Sequence, residues 1–404
     1  MRLFSFSTPT TRVADGPDQS TSVSRTRVLW LSCMAHALHD GYTDMIYALL
    51  PVWQADFGLN YGALAMLRAI YAGTMATLQL PAGRLARTLG TRATLAFGTL
   101  LAALGYAVAG MSGTLLGLCV ALAISGSGSS TQHPLASGAV SRVYGRNARR
   151  PLSVYNFSGD LGKSALPAAI SLLITIMPWR HALWAMSTVG VLVAAVIALF
   201  LPSVPRDESS IEEASSHNNN GSRAGFSLLF TIGVLDTAVR MGLLTFLPFL
   251  LKTKGISQPM MGTALALVFI GGAAGKFVCG WLGARVGVIG TVLATEGGTA
   301  ALILAVICLP LAPALIVLPL LGVMLNGTSS VLYGTVPELT SVERTERAFA
   351  LFYTGTIASG ALAPVAYGLL GDRIGVLGAT LATAATALAV FPLALALRPH
   401  LRKT

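Results

Sequence analysis

The chain has little charge: only 11% of its 404 residues are Asp, Glu, Lys or Arg. An average soluble domain carries roughly 25%, so this chain has too few ions to cover a water-facing surface. Hydrophobic residues make up 54% of the sequence, and the mean hydropathy is +0.70. This composition excludes a soluble globular enzyme, a disordered chain and a coiled coil.

Cysteine is scarce as well, with four residues that all lie inside apolar runs: Cys33, Cys119, Cys279 and Cys308. We expect them to be small buried hydrophobic residues, which excludes a disulfide scaffold. The sequence also lacks GxSxG, HExxH, P-loop and paired CxxC motifs, the usual signatures of hydrolases, zinc proteases, nucleotide-driven pumps and redox enzymes. We therefore expect no enzymatic activity, no cofactor and no bound metal, and an ion gradient as the source of energy.

Long apolar stretches are abundant, and a helix that spans a membrane needs about 20 such residues. Twelve stretches qualify: 28–52, 61–82, 93–111, 114–138, 152–177, 181–201, 226–250, 259–282, 287–309, 311–336, 348–370 and 375–397. The sequence therefore predicts an all-α membrane protein with twelve transmembrane helices. We expect a flexible cytoplasmic tail, a first six-helix bundle, a cytoplasmic linker, a second bundle and a short cytoplasmic tail, at 1–26, 27–201, 202–225, 226–398 and 399–404 respectively.

An internal repeat appears when the sequence is shifted by 197 residues. Five Gly or Pro positions then coincide without gaps: Pro51 with Pro248, Gly58 with Gly255, Gly83 with Gly280, Gly90 with Gly287, and Pro167 with Pro364. We infer two pseudo-symmetric six-helix bundles. In transporters built from such repeats, the bundles rock about a site near the middle of the bilayer.

The distribution of Lys and Arg predicts the orientation. Of the 27 basic residues, 19 fall in loops on the side of the N-terminus, 4 on the opposite side and 4 inside spans. Because basic loops stay in the cytoplasm, both termini are expected there. Anionic lipid headgroups, rather than nucleic acid, then account for the net charge of +11.

Nine charged residues inside the spans are costly, at roughly 2.5–3.5 kcal/mol each at the bilayer centre. They must therefore pair with one another or face a wet cavity. On span one, His36, Asp40 and Asp44 lie at i, i+4 and i+8, which places them on one helix face. Adjacent carboxylates repel when both are ionised, so one of them can take up and release a proton. The candidates for proton coupling are Asp40, Asp44, His36, Asp160 and Glu296.

Nine further polar residues of the spans are candidates for a substrate cavity: His39, Arg68, His133, Tyr155, Asn156, Lys163, Asp236, Arg240 and Lys276. Within single helices, we expect Asp160 to pair with Lys163 at i+3, and Asp236 to pair with Arg240 at i+4. Arg68 and Lys276 are expected either to pair with acids on other helices or to bind anionic substrate groups. Gly159 and Gly162 should let a neighbouring helix approach span five closely.

Twelve spans in two related halves resemble the major facilitator superfamily. The loop after span two supports this, because it has the superfamily's glycines and final base, with Arg87 where that family usually has Asp. The resemblance implies a gating role for this loop and its second copy, through Gly83, Arg87, Gly90, Arg92, Gly280 and Arg285. Four segments are closest to the fosmidomycin-resistance branch: AHALHDGYTDMIYALLP, QHPLASGAV, SVYNFSGDLGKSALP and VPELTSVERTERAFALF.

This resemblance implies a monomeric secondary transporter in a bacterial inner membrane, working by alternating access. The leading hypothesis is proton-coupled efflux of small amphipathic or anionic compounds such as antimicrobials. One alternative is a proton-coupled carrier of a small organic anion, a metal or a metal chelate, since the His/Asp face of span one could attract a divalent cation. A membrane sensor or scaffold is the non-transport alternative.

Overall fold

The structure is a computed structural model that describes residues 19–203, 222–340 and 342–401. Within these ranges the chain forms eleven α-helices: α1 Gln19–Phe57, α2 Tyr61–Leu89, α3 Thr91–Met111, α4 Leu115–Ser129, α5 Gln132–Tyr144, α6 Arg149–Ile176, α7 Trp179–Phe200, α8 Arg223–Thr253, α9 Gln258–Cys308, α10 Leu311–Thr335 and α11 Val342–Leu397.

Eleven helices supply the twelve predicted spans because one span is broken into two helices and two helices contain two spans each. Span four is broken into α4 and α5 just before the His133–Pro134 pair. In contrast, α9 and α11 each contain two spans, which meet at Gly287 with φ +74° and at Gly375 with φ +77°. This left-handed backbone is easily adopted by glycine alone. Seven of the described helices are long and apolar enough to cross a membrane, and the two double helices are among them.

The 197-residue repeat is visible in the backbone. Gly58 and Gly255 both have positive φ, at +64° and +81°, and so do Gly90 and Gly287, at +85° and +74°. The paired prolines also match, since Pro51 and Pro248 lie inside α1 and α8, and Pro167 and Pro364 lie inside α6 and α11. The two halves therefore turn at equivalent positions, as expected of two pseudo-symmetric bundles.

The predicted tails and linker lie partly outside the described residues, namely at 1–18, 204–221 and 402–404. Where the structure does describe them, parts of the predicted tail and linker belong to helices or cap them. Helix α1 already begins at Gln19, inside the predicted tail 1–26, because a helix that is nucleated extends at one hydrogen bond per residue. At the end of the linker, the Ser222 hydroxyl caps α8 and contacts Nδ1 of His400 at 3.0 Å.

The two bundles are joined at one side of the membrane and separate at the other. On the side where α7 ends and α8 begins, here called the linker side, each bundle has its own apolar cluster. One contains Val28, Leu95 and Leu201, and the other contains Leu229 and Leu397. On the opposite side, here called the far side, a single apolar cluster runs through both bundles. The space between the bundles is therefore closed at the far side.

Polar contacts reinforce this far-side closure. The Asp372 carboxylate on α11 accepts hydrogen bonds from the backbone N–H groups of Tyr61 and Gly62 at the start of α2, at 2.7 and 3.0 Å. The Gln258 side chain donates to the Ala48 carbonyl at 3.3 Å. Each contact links one bundle to the other, so all of them must rearrange before the far side can open.

Candidate functional site

A cavity of about 310 Å³ lies between the two bundles, with walls from both. Ligand pockets generally range from roughly 300 to 1,000 Å³, so this cavity suits a small molecule. The predicted site residues that line it are Asp40, Asp44, Arg68, His133, Asp160, Lys163, Arg240 and Lys276. Sequence reasoning missed the other lining residues: Thr43, Met75, Met241, Leu244, Phe269, Gly272, Asn326 and Ser329. Of these, Asn326 carried a signal, as an amide inside an otherwise apolar span.

Close packing of α1 against α6 builds one wall of the cavity. A Cβ on Gly159 would lie 2.6 Å from the His36 ring and 2.7 Å from the Asp40 carboxylate, and a Cβ on Gly162 would collide with the Ala37 carbonyl. The predicted role of the two glycines is thus confirmed, since any side chain there would push α6 away. Because Gly159 and Gly162 have no side chains, α6 lies close enough to α1 for Lys163 to contact Asp40.

A chain of charged contacts crosses the cavity from one bundle to the other. His36 Nε2 lies 3.3 Å from Asp40 Oδ2, and Lys163 Nζ lies 3.2 Å from the same oxygen. Lys163 Nζ is also 4.0 Å from Asp160, whose carboxylate accepts two hydrogen bonds from Lys276 Nζ, at 2.6 and 2.8 Å. Because Asp160 is on α6 and Lys276 on α9, this last contact is an ion pair between the bundles.

These contacts change the pairing expected from the sequence. Lys163 lies closer to Asp40 than to Asp160, so the expected Asp160–Lys163 pair is secondary to two contacts between helices. No ion pair within 4.0 Å joins Asp236 to Arg240 in the described part of the chain, so that expectation is wrong. Asp236 instead lies within hydrogen-bonding reach of Glu296 and Thr328. Helical spacing alone cannot reveal a partner on a neighbouring helix, which is why it missed the contacts of Asp40 with Lys163 and of Asp160 with Lys276.

The geometry of the His36–Asp40 contact suits a shared proton. The His36 Nδ1–H group donates to the Tyr155 carbonyl at 2.8 Å, and the ring stacks on Tyr155 with centroids 4.0 Å apart. With Nδ1 already a donor, Nε2 of the neutral ring is an acceptor and cannot bond to an ionised carboxylate. The 3.3 Å approach is therefore attractive only when a proton lies between Nε2 and Asp40. His133 completes this corner, with Nε2 3.6 Å from the other Asp40 oxygen.

His36, Asp40 and His133 are also the described residues whose ligand atoms could hold a metal, since these atoms lie within 4.8 Å of one another. The ammonium of Lys163, 3.2 Å from the Asp40 carboxylate, would repel a divalent cation there. This donor set therefore fits a proton better than a metal.

Several predicted residues lie away from the cavity. His39 is buried and contacts the hydroxyls of Ser129 and Thr99, at 3.2 and 3.0 Å, so it ties α1 to α3 and α4. The Tyr155 ring stacks on the His36 ring, and Asn156 is exposed on α6 and does not line the cavity. Asp236 and Glu296 form a buried acidic pair inside the second bundle, also outside the cavity lining.

Two lining residues lie in buried surroundings without a close ion pair to any described residue. Asp44 is only 6% exposed, toward the closed end of the cavity. Arg68 makes no ion pair within the described residues, and its guanidinium lies over the rings of Tyr47 and Tyr71, 5.2 and 5.8 Å from their centroids. The loop residues Gly83, Arg87, Gly90, Arg92, Gly280 and Arg285 lie on the linker side, where Arg285 stacks on Trp281 at 4.3 Å.

Comparison with known proteins identifies relatives of this architecture. The family model described as the Major Facilitator Superfamily matches residues 32–235 and 228–404. A fosmidomycin resistance protein of Escherichia coli (strain K12) is 24% identical over 161 residues, which are 39% of this chain and 40% of that protein. The alignment thus spans about two fifths of the relative's length.

Solved structures share the whole fold at low sequence identity. A bacterial homologue of the human lysosomal transporter Spinster, in an inward-facing and occupied conformation, has a TM-score of 0.77, covers 95% of this chain and 98% of its own, and is 14% identical. A variant of the nucleoside transporter NupG has a TM-score of 0.76, covers 94% and 100%, and is 13% identical. At these identities the likeness concerns the fold alone.

Proposed function

The chain belongs to the Major Facilitator Superfamily, and from this premise we propose that it exports small anionic or amphipathic compounds, such as antimicrobials, in exchange for protons. The superfamily match makes the chain a secondary transporter in a membrane and not an enzyme. The observation that carries the proposal is the ion pair between Lys276 and Asp160, which joins the two bundles across the cavity.

This ion pair explains how protons and substrate can drive the same movement in turn. Alternating access requires the two bundles to rock, and rocking changes the α6–α9 contact that the pair spans. A proton on Asp160 removes one charge of the pair, and an anionic substrate in the cavity competes with the Asp160 carboxylate for Lys276. Binding of either a proton or the substrate therefore allows the bundles to rock, whereas the empty carrier cannot rock. This difference is what exchange of the two requires.

The His36–Asp40 unit is proposed as the entry point for the proton. Its shared proton is linked to the bundle-joining pair through Lys163, 3.2 Å from Asp40 and 4.0 Å from Asp160. When Asp40 loses its charge, Lys163 is released toward Asp160 and competes with Lys276 for it. A change of protonation in one bundle is thereby passed to the contact between the bundles.

The test is flux in proteoliposomes. Vesicles containing the purified chain are loaded with compounds from a panel, a pH gradient is imposed, and compound and proton movement are recorded together. We expect anionic members of the panel to leave as protons enter, only when the chain is present. Protons and compound moving in the same direction would contradict exchange.

A second candidate function is cotransport of a proton with a small organic anion. The cavity lining favours it, because four bases face three acids there before any histidine is charged. Each proton bound to a lining carboxylate adds positive charge, and a more positive cavity binds an anion more tightly. The same flux recording separates the two functions by the relative direction of proton and compound.

The proposed orientation places the linker side in the cytoplasm, so that the cavity of this structure faces inward. In a background without the four native cysteines, Ser216→Cys in the linker should react with a membrane-impermeant thiol reagent only after the cells are opened. Ser257→Cys, at an exposed position on the far side, should react in intact cells. Labelling of Ser216→Cys from outside would reverse the topology.

A further inference from the structure

The closed end of the cavity contains two arginines whose guanidinium groups have buried N–H donors without hydrogen-bond partners among the described residues. Arg68 is 4% exposed, and neither its Nε nor its Nη1 has a hydrogen-bond partner among the described residues. Nε of Arg240 is likewise buried without a partner, and its Nη1 makes one long contact to Ser329 Oγ at 3.4 Å. Burying a charged donor without an acceptor is unfavourable. Such a pair is completed by an anion.

The acids of the cavity do not supply that anion. Asp40 and Asp160 are already paired with Lys163 and Lys276, which leaves Asp44 as the one lining carboxylate for both arginines. Asp44 is under the electrostatic influence of Lys163, Arg68, Asp40 and Arg240, yet no nitrogen of a basic side chain lies within 4.0 Å of it in the described ranges. The Asp236–Glu296 pair also acts on Arg240, but from outside the cavity lining.

We propose that Arg68 and Arg240 form a binding site for the oxyanion group of the transported compound, a carboxylate, phosphonate or phosphate. A guanidinium presents parallel N–H donors that match two oxygens of such a group. The apolar side chains of Met75, Met241, Leu244 and Phe269 line the same cavity and can contact a small apolar remainder. This proposal rests on the proposed function only in taking the cavity as the substrate site.

Binding can be measured without any gradient. A ligand that binds the folded protein raises its thermal unfolding temperature according to concentration and affinity. For the purified full chain in detergent, we expect acetate, methylphosphonate and inorganic phosphate to raise this temperature, and methylammonium to leave it unchanged. Each of Arg68→Gln and Arg240→Gln should weaken the apparent affinity for methylphosphonate about ten-fold or more, as expected when a charged hydrogen-bond partner is lost.

Asp44→Asn provides the opposite change. It removes the negative charge that competes for the two arginines, so methylphosphonate should bind more tightly than to the unmodified chain. A purely structural role of Asp44 would not produce tighter binding. Arg150→Gln is the matched control, because Arg150 is exposed at the start of α6 and does not line the cavity; it should leave the affinity unchanged.

Equal affinity in the unmodified chain, Arg68→Gln and Arg240→Gln would overturn the site, as would unchanged or weaker binding in Asp44→Asn. If Arg68→Gln fails to fold, Arg68→Lys keeps the charge but loses the planar fork, and should still bind methylphosphonate more weakly. The outcome is separable from that of the proposed function. Anion binding without proton-driven flux would contradict the transport proposal alone, whereas flux of neutral compounds without anion binding would contradict this site alone.

Discussion

Asp40→Asn is expected to abolish compound flux driven by a pH gradient while exchange of compound across the membrane remains measurable. The amide keeps the shape of the carboxyl group but cannot be ionised, so it cannot take up and release a proton beside His36 Nε2, 3.3 Å away. It also leaves the Lys163 ammonium without its nearest counterion, 3.2 Å away. The measurement compares gradient-driven flux with counterflow exchange in the same proteoliposomes, so that loss of coupling is distinguished from loss of binding.

Two variants control this experiment. Asp56→Asn changes another acid of α1 that is paired with Arg180 at 3.0 Å near the far side, and it should retain gradient-driven flux. Asp40→Glu keeps a titratable group and should retain part of the gradient-driven flux. Such a result shows that the site needs an acid and not only a side chain that packs well. Wild-type flux in Asp40→Asn would refute the proton assignment, and Asp160 and Glu296 would be the next acids to test.

Breaking the ion pair between the bundles is expected to uncouple transport. If the Lys276–Asp160 pair prevents the empty carrier from rocking, Asp160→Asn or Lys276→Gln should allow the carrier to rock without a bound proton or substrate. Charged hydrogen bonds contribute about 1.5–3 kcal/mol, so the separated state should become about ten- to a hundred-fold more populated. Simultaneous recording should then show compound leaving down its own gradient with few protons entering in exchange.

A double-mutant cycle tests whether the two residues act as a pair. The variant carrying both Asp160→Asn and Lys276→Gln should be no more uncoupled than either single variant, since each change removes the same contact. Asp160→Asn combined with Asp56→Asn should behave like Asp160→Asn alone. The proposed role of the ion pair would be refuted if the losses of proton coupling from Asp160→Asn and Lys276→Gln added up in the variant carrying both. It would also be refuted if proton coupling survived in both single variants and in that double variant.

Much of the architecture follows from local sequence. Apolar stretches of about 20 residues predict helices wherever they occur, because the bilayer offers no other partner for backbone polar groups. The recurrence of Gly and Pro at a shift of 197 predicted equivalent turns, and Gly90 and Gly287 indeed share a left-handed backbone. The spacing of His36 and Asp40 placed them on one face, and the structure brings them within 3.3 Å.

What the sequence by itself determined, then, is which segments span the membrane, that they form two related halves, and that ionisable groups must gather between them. The tertiary structure decided the partners within that group. Lys163 lies closer to Asp40 than to Asp160, Lys276 comes from the other bundle, and Arg68 lies over aromatic rings with no ion pair in the described residues. Helical spacing can only relate residues on one helix, whereas these contacts depend on how closely α1, α6 and α9 approach, and therefore on packing between distant parts of the chain.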